Sequence, residues 1–349
     1  MQNRLAKKIS CAVSASVNRS KVDIKNGFQG KAPVSMRIRT QISSAVILAF
    51  LLLQLPGNLE ASCNPLFEGA DPDILFANKK YWIYPTGTGQ GQEAYVYSSA
   101  DLKTWRKGGV AFALKNAKWI SSDRAKKHYL WAPGIFQSSG KFYYYYSVGP
   151  QNPTPSRIGV AVAKKPDGPF IDSGKALITG DARFEAIDAM VFQDPKDKNH
   201  YLYCGGSAGA QLKVFELNDD LISIKQEVPV QTPKDFTEGP FMHFHNGIYY
   251  LSYSSGRWND DSYHVSYSTA ATPIGPWKYQ GIILGSDNKH AGPGHHSIIK
   301  VPSLNNWYIV YHRWNAAKTH GKLPKERSIA IEKLEYLPDA KIRSTMMTD

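Results

Sequence analysis

Three carboxylates stand just ahead of apolar, strand-like runs at widely separated places in this 349-residue chain: Asp71 in GADPDI, Asp188 in EAIDAMVF and Glu238 in FTEGPF. Singly, each is ordinarily a turn residue, because Asp bonds its own backbone and a following Pro presets the chain direction. Together they say more. Like charges brought to one pocket repel, so their convergence destabilises a fold that makes no use of them. Glycoside hydrolysis uses such a trio: one carboxylate deprotonates water, one carboxylic acid protonates the leaving oxygen, and a further charge keeps that acid protonated near neutral pH. Metal binding is the weaker alternative, since the chain has no Cys-x-x-Cys or His-Glu-x-x-His spacing to complete a transition-metal site. A phosphate loop and a dinucleotide fingerprint are also missing.

The elements that must position these acids repeat. Five aromatic-rich hairpins follow one another: DILFANKKYWIYPTG, GIFQSSGKFYYYYSVG, MVFQDPKDKNHYLYCGG, PFMHFHNGIYYLSYSSG and SIIKVPSLNNWYIVYHRW. Each is a short strand, a polar turn and a second strand dense in Tyr, Trp and β-branched residues. A third and often a fourth strand comes behind, as in AYVYSS with TWRKGG, and helical periodicity is nearly absent. Five copies of a four-stranded unit at a period of roughly 50 to 60 residues predict an all-β, five-bladed β-propeller. A β-sandwich would not require the same hairpin five times. The last run, SIAIEKLEYL, lacks a whole blade's worth of sequence, so it is expected to complete the fifth blade with help from the segment after Cys63.

The entrances of the innermost strands gather around a propeller's axis. Counting back eleven to thirteen residues from the hairpin aromatics Trp82, Tyr143, Tyr201, Tyr249 and Trp307 reaches Asp71, Trp131, Asp188, Glu238 and His296. Trp131 beside carboxylates is a stacking platform for a sugar face. His296 is expected to bind substrate or to hold a central ion or water. Arg313, in VYHRWN, is expected to neutralise the acids or grip ligand hydroxyls.

These motifs resemble glycoside hydrolase family 43 over nearly all of residues 64 to 340. ADPDI is similar to that family's base motif, IDAMVF to its pKa-modulating motif and TEGPF to its acid motif; LWAP and GHHS match as well. The resemblance implies Asp71 as base, Asp188 as modulator and Glu238 as acid, with Asp73 as the alternative base. Ala189 stands where a proline is common. It further implies an inverting enzyme acting on α-L-arabinofuranosyl or β-xylosyl linkages of plant cell-wall polysaccharides, with β-galactosidic hydrolysis as the alternative and no cofactor required. A structural calcium or a water near His296 on the axis is compatible with it. The RDP motif of related fructose-transferring propellers is missing. A propeller with a damaged site would instead be a carbohydrate-binding protein.

The leader explains most of the basic charge. Of the 42 Lys and Arg, nine lie in residues 1–61, against two of the 29 Asp and Glu, which leaves 33 against 27 for residues 62–349. No basic block remains to track a nucleic acid. MRIRTQISSAVILAFLLLQLPGNLEAS reads as a secretory signal, with nine apolar residues from Ala45 to Leu53, too few to span a bilayer comfortably. Translation is expected to begin at Met36, with residues 62–349 as a single propeller domain, secreted or periplasmic and without a transmembrane span. Cys63 could pair with Cys204 or carry a lipid; Glu60 speaks against the lipid.

Overall fold

The computed structural model describes residues 64–87, 91–302, 305–316 and 323–349. The leader, Met36 and Cys63 with its lipid and disulfide readings lie outside the described residues. Cys204 is buried and forms no disulfide among the described residues. Among the described residues, no helix is long and apolar enough to cross a membrane.

The first strand, β1 (Phe67–Glu68), joins the last blade. Blade one holds β2 (Asp73–Ala77), β3 (Lys80–Tyr84), β4 (Glu93–Ser99) and β5 (Arg106–Ala113). Blade two holds β6 (Tyr129–Ser138), β7 (Lys141–Gly149), β8 (Arg157–Ala163) and β9 (Ile171–Thr179). Blade three follows with β10 (Met190–Gln193), β11 (His200–Cys204), β12 (Lys213–Leu217) and β13 (Ile224–Val228). Blade four has β14 (Glu238–His245), β15 (Ile248–Ser255), β16 (His264–Ala270) and β17 (Lys278–Leu284). Blade five pairs β18 (Ala291–Val301), β19 (Asn306–Trp314) and β20 (Ser328–Leu334) with β1, which lies antiparallel to β20 with Phe67 opposite Ile329. The fold is therefore a five-bladed β-propeller, closed by the segment after Cys63 as the sequence predicts. Asn64 extends the closure, its amide bonding both the N–H and the carbonyl of Ile331 at 3.0 Å.

Each hydrophobic cluster lies between two neighbouring blades, because a twisted sheet with two apolar faces buries both against its neighbours. The tyrosines add a polar bolt to this packing. Three second-strand hydroxyls donate to a carbonyl of the next blade's outer connection, Tyr84 to Pro166, Tyr145 to Leu221 and Tyr203 to Pro273, each at 2.6 Å, and Tyr250, elsewhere in its strand, donates to the Ala340 carbonyl after β20 at 2.7 Å. A buried tyrosine needs a partner for its hydroxyl, and in blades one to three the next blade supplies one in the same place. The Tyr-rich strands are thus packing residues that also fix blade spacing.

Candidate active site

Just ahead of the innermost strand in blades one and three, and within its first residues in blades two, four and five, one residue takes a left-handed backbone conformation: Asp71 (φ 50°), Asp188 (φ 61°), Ala132 (φ 29°), Gly239 (φ 60°) and His295 (φ 37°). Non-glycine residues in this region carry strain that the surrounding structure must hold. Here the holding groups are hydroxyls at the end of the preceding blade's second strand. Ala132 N–H donates to Thr86 Oγ1 at 3.0 Å, Asp188 N–H to Ser147 Oγ at 2.9 Å and His295 N–H to Ser254 Oγ at 2.8 Å. Asp71 N–H faces the His312 ring, with Nδ1 at 3.1 Å. Blade three breaks the series because Gly205 stands at that position. Gly239 N–H therefore turns to Asp188 Oδ2, at 3.0 Å, which ties Asp188 to the backbone beside Glu238.

The kink lets consecutive side chains face one cavity of about 270 Å³, lined among others by Asp71, Trp131, Asp188, Glu238, His295 and Arg327. Four of the six residues named from sequence meet there. Trp131 presents its ring against Tyr129, at 6.0 Å and 12° between planes, and has room because a Cβ at Gly149 would lie 2.1 Å from it. Asp73 does not line the cavity; its Oδ2 accepts the Ile135 N–H at 2.7 Å and bolts blade one to blade two.

His296 and Arg313 are corrected. Successive side chains in a strand point to opposite faces, so a one-residue slip removes a group from its site. His296 is buried beneath the cavity with Nε2 at 2.6 Å from Ser252 Oγ, and its neighbour His295 holds the cavity position. Arg313 is fully buried, bonding Asn315 Oδ1 at 3.1 Å and the Thr348 carbonyl at 2.6 Å, so it anchors the C-terminal segment. The cavity's arginine is Arg327, between the rings of Trp258 and Trp314 with Nη1 3.4 Å from Asp71 Oδ1. His295 had a sequence signal: aligning the five entrances on the residue ahead of Pro72, Pro133, Ala189, Pro240 and His296 selects it. Arg327 and Trp258 come from connections that carry no repeat.

The acids differ in state. Burial alone would raise Asp71, but Arg327, His295 and His312 outweigh it and hold this carboxyl well below the usual range. Burial keeps His312 neutral, at about 4. Its Nδ1 lies 3.1 Å from both the Asp71 backbone nitrogen and Oδ1, and its Nε2 lies 3.2 Å from Arg327 Nη1. Glu238 goes the other way: burial first, then the charge of Asp188, push it up to about 8, partly opposed by the Tyr263 hydroxyl, which donates to Oε1 at 2.7 Å. Asp188 is raised by burial and restrained by His295, whose Nδ1 lies 3.4 Å from Oδ2. Burial would discharge His295, yet Asp188 and Asp71 raise it to about 9, so it stays cationic among the acids. One side of the cavity thus holds a carboxylate and the other a carboxylic acid, the pairing that acid–base hydrolysis of a glycoside needs.

On the axis below, His296 Nδ1 is buried with no partner among the described residues. No group of three His, Cys, Asp or Glu that could hold a metal ion lies among them. Calcium asks for six to eight oxygens. A single imidazole nitrogen suits a water, or an ion that keeps most of its hydration shell.

The family description Glycosyl hydrolases family 43 matches residues 63–342. The β-D-galactofuranosidase xynD of Aspergillus niger is 38% identical over 82% of this chain and 87% of its own length. A xylosidase/arabinosidase of Bacteroides ovatus is 27% identical over 78% of this chain and 93% of its own. Among solved structures, a thermostable family-43 glycoside hydrolase superposes with a TM-score of 0.68 at 26% identity, covering 82% of this chain and 96% of its own. The β-xylosidase/α-arabinofuranosidase CoXyl43 from a compost metagenome, in complex with xylotriose, gives 0.66 at 26% identity, covering 82% and 97%. Blade count, the split between a charged and a neutral carboxyl, and the match across the whole propeller agree that this chain belongs to glycosyl hydrolase family 43 and is a glycoside hydrolase.

Proposed function

We propose that the enzyme inverts the anomeric configuration and removes single α-L-arabinofuranosyl or β-xylosyl residues from plant cell-wall polysaccharides outside the cell. The observation that carries this reading is the opposed protonation of Asp71 and Glu238. Asp71, ionised by Arg327, His295 and His312, takes a proton from water as that water attacks the anomeric carbon. Glu238, neutral at pH 7, gives its proton to the departing oxygen, and Asp188 holds that proton in place by its charge. The reaction is carried by carboxyl groups without a cofactor. At about 270 Å³ the cavity lies just below the usual span of ligand pockets, about 300 to 1,000 Å³, and suits one terminal sugar stacked on Trp131. The names of the Bacteroides relative and of CoXyl43 support pentosyl substrates. A β-galactofuranosyl substrate is the second reading, favoured by the Aspergillus relative.

A panel of chromogenic arabinofuranoside, xyloside and galactofuranoside separates these readings, and proton NMR of the first-formed anomer reads the stereochemistry. Direct displacement by water needs the two carboxyls about 6.5 to 9.5 Å apart and yields the inverted sugar. A retained anomer, or a retained methyl glycoside trapped with methanol, would make Asp71 a nucleophile and overturn the mechanism. Export rests on the signal-like leader, and N-terminal sequencing of secreted protein should place the start close to Ser62.

A further inference from the structure

The blade-three wall of the cavity carries a fourth carboxylate that the hydrolytic step does not use. Glu185 lies three residues ahead of Asp188 and is only 6% exposed. Its neighbours Phe184 and Ala186 go into the core, whereas Glu185, Ile187 and Ser207 face the cavity. Both protein hydrogen bonds to the carboxylate reach one oxygen: Oε2 accepts the Ala208 N–H at 2.8 Å and the Ser207 hydroxyl at 3.3 Å. Oε1 has no protein donor among the described residues, and no cation pairs with Glu185 there. Burial, and then the charge of Asp188, raise its pKa, partly opposed by the Ala208 N–H and the Ser207 hydroxyl.

The chain builds this position closely. Glu185 N–H donates to the Ala208 carbonyl at 3.2 Å, and Gly205 N–H to the Ile187 carbonyl at 3.0 Å, so residues 185–187 and 205–208 run against each other. A Cβ at Gly206 would lie 2.6 Å from Ile187 and 2.8 Å from Glu185 Oε2, and one at Gly209 would lie 1.9 Å from the Arg183 carbonyl. The same glycine run leaves blade three without the hydroxyl that blades one, two and four use to hold a strand entrance.

We propose that Glu185, oriented by Ser207 and the Ala208 N–H, is a specificity-determining residue whose Oε1 accepts hydroxyl hydrogen bonds from the glycone. Arabinofuranosyl, xylosyl and galactofuranosyl units differ in where their hydroxyls lie, so a fixed buried acceptor ranks them by which can donate to it. This rests on the glycosidase reading of the cavity and adds the group that selects the sugar. A rival role is electrostatic, with Glu185 tuning Asp188 and Glu238 by charge alone.

Three variants separate the roles on the chromogenic panel. Glu185→Gln keeps the reach and an acceptor oxygen, Glu185→Asp keeps the charge but withdraws it by one methylene, and Glu185→Ala removes both. Contact predicts that Ala and Asp lose about 10- to 100-fold in kcat/KM on the best glycone, mainly through KM, with Gln closer to wild type. The ratio between best and second glycone should shrink by a similar factor, and both limbs of the pH profile should stay in place. An Asp variant near wild type, a Gln variant with a displaced alkaline limb, or an Ala variant with unchanged preference overturns the proposal. Should the Ala variant fail to fold, the Gln and Asp pair decides. Calorimetry with free L-arabinose, D-xylose and D-galactose runs in parallel. A wild type that hydrolyses none of the panel but binds one sugar through Glu185 fails the substrate reading and keeps this one; loss of neither hydrolysis nor binding in Ala and Asp overturns it.

Discussion

The two sides of the cavity carry the same functional group in opposite states. On the side of blades five and one, Asp71 meets Arg327, His295 and His312. On the side of blades three and four, Glu238, Asp188 and Glu185 crowd together, with a tyrosine hydroxyl on Glu238 and no arginine or lysine among their ion-pair partners. Burial is common to both sides, so it does not decide the outcome. What decides it is the sign of the nearest charge: a cation within about 4 Å favours the ionised carboxyl, and another carboxylate disfavours it. His295 stands between the two groups, 3.8 Å from Asp71 and 3.4 Å from Asp188, and keeps the second acid from turning fully neutral.

The comparison breaks most sharply when a reacting group is neutralised. Asp71→Asn and Glu238→Gln should each lower kcat by roughly two or more orders of magnitude, but their stabilities should part. Asp71→Asn leaves Arg327 and His295 without their carboxylate and should lower Tm. Glu238→Gln replaces a group that is already neutral at pH 7 and should leave Tm unchanged or raised. Thermal melts beside kinetics check this, and equal Tm losses would deny the difference between the sides. Next in size is Arg327→Met, which removes the strongest charge holding Asp71 down. The acid limb of kcat/KM should move to higher pH, since His295 and His312 are then left to hold the carboxyl down.

A smaller effect is expected of Tyr263→Phe. The hydroxyl it removes favours ionised Glu238, so the alkaline limb, near pH 8 in the wild type, should move up, with little change in kcat at pH 6. An unmoved limb would assign that limb to another group. The smallest effect is on stability against pH. His295 rises from 6.5 to about 9 on folding, so its contribution is complete below pH 6.5 and is lost as pH climbs to 9. Glu238, raised from 4.5 to about 8, favours the neutral form and loses its contribution between those values. Tm should therefore fall from pH 6 to pH 9, and Glu238→Gln should flatten the portion below pH 8. A Tm that rises over that interval would contradict both assignments.

The amino-acid order by itself determined the five repeats, the closing of the fifth blade and the identities of Asp71, Trp131, Asp188 and Glu238. These were legible because strand alternation, hairpin turns and a recurring entrance are local patterns that each blade must satisfy in order to bury its faces. Only the tertiary structure decided which neighbour faces the cavity. The left-handed residue and the register shifts in β6, β14 and β18 displace the count from the hairpin by one or two residues, and a single step turns His295 into His296. Arg313 failed for the same reason, with the cavity's arginine lying in an unpatterned connection ahead of β20. Protonation was likewise beyond the sequence, because Asp71, Asp188 and Glu238 look alike in a row of letters. Their states follow from contacts such as 2.7 Å from Tyr263 to Glu238 and 3.4 Å from Arg327 to Asp71, across 25 and 256 residues of chain, and those distances exist only once the ring has closed.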